Sequence, residues 1–226
     1  MVDYNVDESI VHQPRSSMRY GIFGGAFDPI HLGHLLLAET ALRQTELDRV
    51  IFVPTGLSPH RSGKDAYHAS VDDRFQMIEN SILGCEEFFV SRYEIDRREP
   101  SFTVETLRYF KKAFTLTQPV LFLILGADMF NDLPNWREPG EICRLATPLV
   151  ACRPGIALPY FEGLSGFISR ERYEEIHRLA LHMPQLDLSS TAVRAAVAAD
   201  KSVRFQVPRG VDVYIQKRGL YREGNR

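Results

Sequence analysis

The sequence is short of three things, and each shortage excludes a class of protein. Cysteine is scarce: Cys85, Cys143 and Cys152 are odd in number and lack metal-site spacing. A disulfide framework and a cysteine-built zinc module are both excluded, and the thiols are expected to be reduced and mostly packed. Long apolar runs are also missing. The longest, Pro119 to Ala127, falls far below the roughly 20 residues of a spanning helix, and the N-terminus has no apolar signal core. Finally, neither charge is in excess. With 27 basic and 29 acidic residues, a net charge of -2 and a pI near 6.4, the chain has no bulk attraction for nucleic acid or an anionic membrane, so any anion site must be local. The expectation is a cytoplasmic protein with small-molecule partners, no nucleic acid and no membrane; a homo-oligomer is compatible with the sequence but not dictated by it.

What is present is a globular α/β composition, 44% hydrophobic over 226 residues, enough for one domain with a sizeable core. Met1 to Met18 is polar, acidic and aperiodic, and reads as a disordered tail or an over-long start; residues 19–226 read as one domain, without internal repeat or Pro/Ser linker. Arg49 to Pro54 and Val120 to Leu125 are continuous apolar strands of the kind covered on both faces. Phe88 to Ile95, Pro148 to Cys152 and Leu181 to Leu186 are further strand regions. Between them lie helical patterns: His31 to Gln44 with Leu32, Leu35, Leu36 and Leu42 on one face, Val71 to Leu83 with Val71, Phe75, Ile78 and Ile82, then an amphipathic helix preceded by Pro100, Ser101 and Thr103 and running to about Phe114, Glu138 to Leu145, Arg170 to Leu179, a helix opened by Ser189 and Ser190, and Pro208 to Lys217. Strand and helix alternate, which predicts a Rossmann-like, doubly wound, mostly parallel sheet with helices on both faces and ligands at the carboxyl ends of the strands.

Tyr20 to Leu35, YGIFGGAFDPIHLGHL, is the most informative stretch. Tyr20, Ile22 and Phe23 favour a strand, and Gly24 with Gly25 permits a sharp turn or a close ligand. Asp28 and Pro29 resemble the cap and first residue of a helix, whose N-terminus would favour a phosphate beside His31 and His34. Alone, His-x-Gly-His fits packed or solvated histidines about as well. A zinc site would need further ligands, and no Cys or His elsewhere has companion spacing. Thr55 to Ser70, long and rich in Gly, Ser, His and basic residues, has the character of a functional lid.

GIFGGAFDPIHLGH at Gly21 to His34, together with LDLSSTAVR at Leu186 to Arg194, resembles the two signatures of the HxGH nucleotidyltransferase superfamily. Collinear segments resemble its bacterial nicotinate-nucleotide adenylyltransferase family: VPTGLSPHR (Val53 to Arg61), DDRFQMI (Asp72 to Ile78), SFTVETL (Ser101 to Leu107), LGADMF (Leu125 to Phe130), LPNW (Leu133 to Trp136), ACRPG (Ala151 to Gly155) and VPRGVDVYIQKRGLY (Val207 to Tyr221). The likeness covers Arg19 to Tyr221 in order.

The resemblance implies adenylyl transfer from ATP to nicotinate mononucleotide, giving deamido-NAD and pyrophosphate, with Mg²⁺ carried by phosphates and few or no protein metal ligands. It assigns catalysis to His31, His34 and Arg194. ATP binding falls to Gly24, Gly25, Ala26, Phe27, Gly33, Asp128, Ser189, Ser190 and Thr191, with Asp128 on the ribose hydroxyls and Gly33 leaving room for the nucleotide. The second substrate falls to Thr55, His60, Arg61, Thr103, Trp136 and Arg153, with Trp136 stacked on the pyridine and Thr103 near its carboxylate. Taken without the resemblance, Asp128 and Thr103 would also serve as plain helix caps, and Arg153 as a surface ion-pair residue. Four residues depart from the family pattern: Ala26 stands for a hydroxyl residue, Ser58 and Arg61 for Pro and Lys, and Phe102 for Tyr. Alternatives in the superfamily are transfer to nicotinamide mononucleotide or pantetheine phosphate; outside catalysis, a nucleotide-binding regulator. An aminoacyl-tRNA synthetase would need a Lys-Met-Ser-Lys-Ser-like loop, absent here.

Overall fold

The computed structural model describes residues 17–57, 67–114, 119–152, 163–184 and 186–222. Six parallel strands form one sheet: β1 (Arg19–Gly25), β2 (Arg49–Pro54), β3 (Phe88–Val90), β4 (Val120–Gly126), β5 (Ala146–Cys152) and β6 (Leu181–His182), in the order β3-β2-β1-β4-β5-β6. The strand order reverses between β1 and β4, which pair in parallel from Arg19 with Val120 to Ile22 with Leu123. A crevice opens at such a reversal, beyond the carboxyl ends of the two strands.

The apolar strands are buried on both faces, as their unbroken hydrophobicity requires. In β4, Leu121, Leu123 and Leu125 turn to one core and Phe122 and Ile124 to the other. The first core is covered by α3 (Thr103–Ala113), α4 (Ala127–Asp132), α5 (Pro139–Leu145) and α6 (Arg170–Arg178). The second is covered by α1 (Leu32–Gln44), α2 (Val71–Ile82), α7 (Ser190–Ala198) and α8 (Arg209–Arg218). Gly21 faces the second core, where an added Cβ would come within 2.7 Å of the Leu47 Cδ1 and 2.9 Å of the Ile124 Cδ1, so a side chain here would require those two methyl ends to shift.

Several boundaries differ from the sequence reading. Met18 belongs to the fold: its carbonyl accepts the Val120 N–H at 2.9 Å, extending the β1–β4 ladder by one residue. The expected tail is otherwise residues 1–16, outside the described residues. The third strand ends at Val90 rather than Ile95, since residues 93–96 turn and the Asp96 N–H returns to the Arg92 carbonyl at 3.0 Å. The last strand stops at His182, two residues ahead of Pro184, which has no N–H to give a ladder. Just before Trp136, Leu133–Asn135 forms a 3-10 turn capped by Trp136.

Two helices bury different faces from those predicted. In α1 the buried residues are Leu37, Ala38, Thr40, Ala41 and Leu42, leaving Leu32 and Leu36 half-exposed. In α2 they are Asp73, Arg74, Met77 and Ile78. Asp73 accepts hydrogen bonds from Tyr214 Oη (2.8 Å) and Arg218 Nε (3.2 Å), which pins α2 to α8. Cys143 is buried, and burial pushes its thiol up to about 11. Cys85, expected to pack, is exposed in the turn after α2. The Cys152 side chain lies outside the described residues.

Candidate active site

Beyond the ends of β1 and β4 lies a cavity of about 750 Å³. Gly24 and Gly25 from β1 and Gly126 from β4 form its floor; His31, Gly33 and His34 line one side, with Ser189 and Ser190 beside them, and Ser101, Thr103 and Trp136 line another. Among the sequence-predicted residues, Ala26, Phe27 and Thr55 also line it. Asp128 does not. It sits exposed in the first turn of α4, next to the cavity residues Gly126 and Met129. His60, Arg61 and Arg153 lie outside the described residues, as does Ser58.

The loop between β1 and α1 is built differently from the expected Asp-Pro helix start. His31, not Asp28, is the N-cap of α1, in extended backbone, and the helix begins at Leu32. The His31 N–H donates to His34 Nδ1 at 3.2 Å, so the second histidine closes the helix end on the first. Their rings stack with centroids 3.7 Å apart. A Cβ on Gly33 would come within 3.1 Å of the His31 ring, so this glycine makes room for the histidine. The Leu32 N–H is taken by the Gln206 carbonyl at 3.0 Å, and the helix start therefore offers fewer donors than a bare terminus.

Asp28 has another task. Its buried carboxylate accepts the backbone N–H groups of His68 (2.7 Å) and Ala69 (3.1 Å) and the Tyr221 hydroxyl (2.8 Å). Burial, and then the Asp28 charge, push the Tyr221 phenol far above its ordinary range, so it stays a donor. The Asp28 carbonyl accepts from Arg194 at 2.7 Å, and Ser190 Oγ donates to the Pro29 carbonyl at 2.8 Å. Together these contacts bolt the α7 start to the histidine loop. Ser189 caps α7 by accepting the Ala192 N–H (3.1 Å), and exposed Thr191 accepts from the other arm of Arg194 (3.2 Å). Phe27 adopts a left-handed φ of 47°, an uncommon conformation for a bulky residue. Its buried ring meets His34 edge-on at 5.1 Å and Phe23 at 5.4 Å, forming an aromatic seat beneath the histidine.

That seat sets the charge of His34. Although its ring opens on the cavity, enclosure among aromatic rings, followed by the neighbouring His31, holds its pKa well below the ordinary value. Because Nδ1 accepts from the His31 N–H, the proton of the neutral ring resides on Nε2, which is then a hydrogen-bond donor. The folded pKa lies below the unfolded one, so the unfolded chain binds more protons once pH drops through about 6.5, and stability is lost as pH falls toward the folded value. In a nitrogen-detected NMR titration of the free protein, His34 is expected to remain neutral and Nε2-protonated at about pH 6. Half-protonation near 6.5 would contradict the assignment.

The opposite wall contains residues that sequence reasoning missed or misplaced. Phe102, not Thr103, is the N-cap of α3, and no side chain caps it, so Thr103 is the first helical residue. Trp136 donates from Nε1 to Asp132 at 3.1 Å and packs on the core below. Glu94 is buried at the cavity edge and accepts Thr106 Oγ1 at 2.6 Å; burial raises its pKa against that hydrogen bond. Arg137 lies over the Phe102 ring, 4.6 Å from its centroid. Fully buried Arg74 donates to the carbonyls of Ala26 (2.7 Å) and Thr55 (2.8 Å), tying the ends of β1 and β2. In the sequence, Arg137 stood next to the singled-out Trp136, while Arg74 was hidden inside an amphipathic pattern.

Residues 22–196 match the family model described as cytidylyltransferase-like. The chain is 40% identical over 205 residues to the "Probable nicotinate-nucleotide adenylyltransferase" of Thermus thermophilus, covering 91% of this chain and 100% of that one. It is 37% identical over 206 residues to a protein of the same description from Rubrobacter xylanophilus, covering 91% and 92%. In fold it resembles the Plasmodium falciparum nicotinic acid mononucleotide adenylyltransferase complexed with NaAD, with a TM-score of 0.69, 17% identity and coverage of 90% and 97%. The glycine floor, the paired histidines and the Arg194 helix start thus occur in a chain that belongs to the cytidylyltransferase-like family and, within it, to the nicotinate-nucleotide adenylyltransferases.

Proposed function

We propose that this cavity joins ATP to nicotinate mononucleotide by direct adenylyl transfer, releasing pyrophosphate. The observation that carries the reading is that one cavity, at the β1/β4 reversal, has the His31–His34 pair on one wall and Thr103 with Trp136 on another. A phosphate oxygen of the mononucleotide attacks the α-phosphorus of ATP in line; that P–O bond forms as the bond from the α-phosphorus to the bridging oxygen of pyrophosphate breaks. No covalent enzyme intermediate is needed, so alignment and charge stabilisation supply the rate.

In this reading, His34 Nε2–H donates to the reacting phosphate and His31 holds a neighbouring one. Arg194 and the α7 start, with Thr191, receive the leaving pyrophosphate. Gly24, Gly25, Ala26 and Phe27 bring backbone against the nucleotide, and Asp128 reaches the adenosine ribose from α4. Thr103 and Trp136 take the pyridine, while Thr55 and the segment carrying His60 and Arg61, with Arg153, approach phosphates. Ser189 and Ser190 act through the loop geometry they already fix.

Mg²⁺ fits this site as part of the nucleotide substrate. Among the described residues no group of three or more His, Cys, Asp or Glu side chains is arranged to hold a metal, whereas adjacent phosphates chelate Mg²⁺ and need few protein ligands. Residues 19–226 act as one catalytic domain, and the setting is cytoplasmic; no helix among the described residues is long and apolar enough to cross a membrane.

The test is pyrophosphate release by the purified protein with MgATP and either the acid or the amide mononucleotide. Turnover with preference for the acid is expected. A clear amide preference would overturn the substrate assignment, and ATP binding without pyrophosphate release with either would leave a nucleotide-binding regulator.

A further inference from the structure

We propose that Arg137 is a specificity residue that exchanges a carboxylate of the protein for the carboxylate of the pyridine substrate, and so separates acid from amide mononucleotides. The inference rests on the adenylyltransferase reading above and deepens it.

Arg137 lines the cavity beside Trp136, and its guanidinium carbon lies over the Phe102 ring, 4.6 Å from the centroid. The aromatic face holds the cation while its N–H groups remain able to meet a carboxylate. In the present structure those groups are satisfied by Glu105 at 3.3 Å, with Glu138 more distant at 3.9 Å. The Arg137 side chain is 51% exposed, and ion pairs so open to water contribute little. Glu105 also has a second, shorter partner in Arg97 at 2.8 Å, so it keeps a cation when Arg137 leaves. Release of Arg137 therefore costs little.

Two observations place an anion on this wall. Ser101, only 8% exposed and lining the cavity, has a hydroxyl with no hydrogen-bond partner; a buried hydroxyl in that state is a standing cost unless a ligand meets it. The eleven-residue α3 starts at Thr103 with no side-chain cap on its N-terminus. Buried Glu94, held by Thr106, lines the same cavity; a bound carboxylate near it gains from a mobile cation that can approach from the solvent side. Phe102 fits the same scheme. Its ring offers Arg137 a wholly apolar face.

The two mononucleotides differ by one negative charge at the pyridine substituent, which a charge-assisted hydrogen bond reads directly. The experiment compares wild type with Arg137→Gln in steady state, using MgATP with nicotinate or nicotinamide mononucleotide, and in calorimetric titration with each mononucleotide alone. We expect the variant to lose about tenfold or more in kcat/KM for the acid, mainly through KM, with the amide and the KM for ATP unchanged. Arg137→Lys is expected to recover part of the loss, since it restores charge without the planar fork. Equal losses on acid and amide, or no loss on the acid, would overturn the proposal. If wild type turned over neither mononucleotide, the proposed function would fail, yet the titrations would still decide Arg137: weaker binding of the acid alone supports the role, and unchanged binding refutes it.

Discussion

Replacing His34 by alanine is expected to lower turnover by about 10²–10³-fold, the usual effect of deleting one donor aimed at a developing phosphoryl charge. The ring is neutral, its Nδ1 is engaged by the His31 N–H, and Nε2–H is the atom left to donate. Alanine also strips the helix end of its acceptor, which costs about 1 kcal/mol of stability, too little to unfold a domain held by about 5–15 kcal/mol. His34→Asn separates the two effects: its side-chain oxygen replaces the cap acceptor, so stability returns while turnover stays low. Pyrophosphate release and a urea titration on both variants check this. Near-normal turnover in either variant would remove His34 from the chemistry.

The second large effect concerns stability. Arg74→Met is expected to cost about 3–5 kcal/mol, because two hydrogen bonds from a buried charged donor are lost together. Those bonds hold the Ala26 and Thr55 carbonyls, which continue β1 and β2 into the cavity rim. The guanidinium also stacks on Tyr67 at 4.0 Å, and methionine supplies shape but neither charge nor fork. A denaturant midpoint close to wild type would show that the rim holds without this arginine. Lysine is expected to rescue little, since one ammonium cannot span both carbonyls in the same plane.

The strands were legible because burial on both faces leaves an unbroken apolar run, as in Val120 to Gly126 and Arg49 to Pro54. The histidines were legible because their motif is local. The helix start between them was misread for the opposite reason. Asp28 and Pro29 have the local chemistry of a cap, but the Asp28 carboxylate is used by residues 40, 41 and 193 positions away, which no local window contains. The buried face of α2 was hidden in the same way, because Arg74 looks like a surface residue until the carbonyls it serves are placed beside it. On the wall with Thr103 and Trp136, SFTVETL and LPNW drew attention to cavity-lining segments, yet the contacts there, Arg137 over Phe102 and the Ser101 hydroxyl without a hydrogen-bond partner, exist only after α3 and α5 are packed together.

The bond from Tyr221 to Asp28 also has a meaning in time. Ribosomes add about 5–20 residues per second, so the 193 positions between the two partners correspond to about 10–40 s of synthesis. Throughout that interval the histidine loop has been made but its last anchor has not. A chain interrupted between His182 and Tyr221 carries the whole HxGH motif and all six strands of the sheet, yet lacks the hydroxyl that completes the support of the loop. The support of the histidine loop is thus completed only after α8, the last helix among the described residues, has been made.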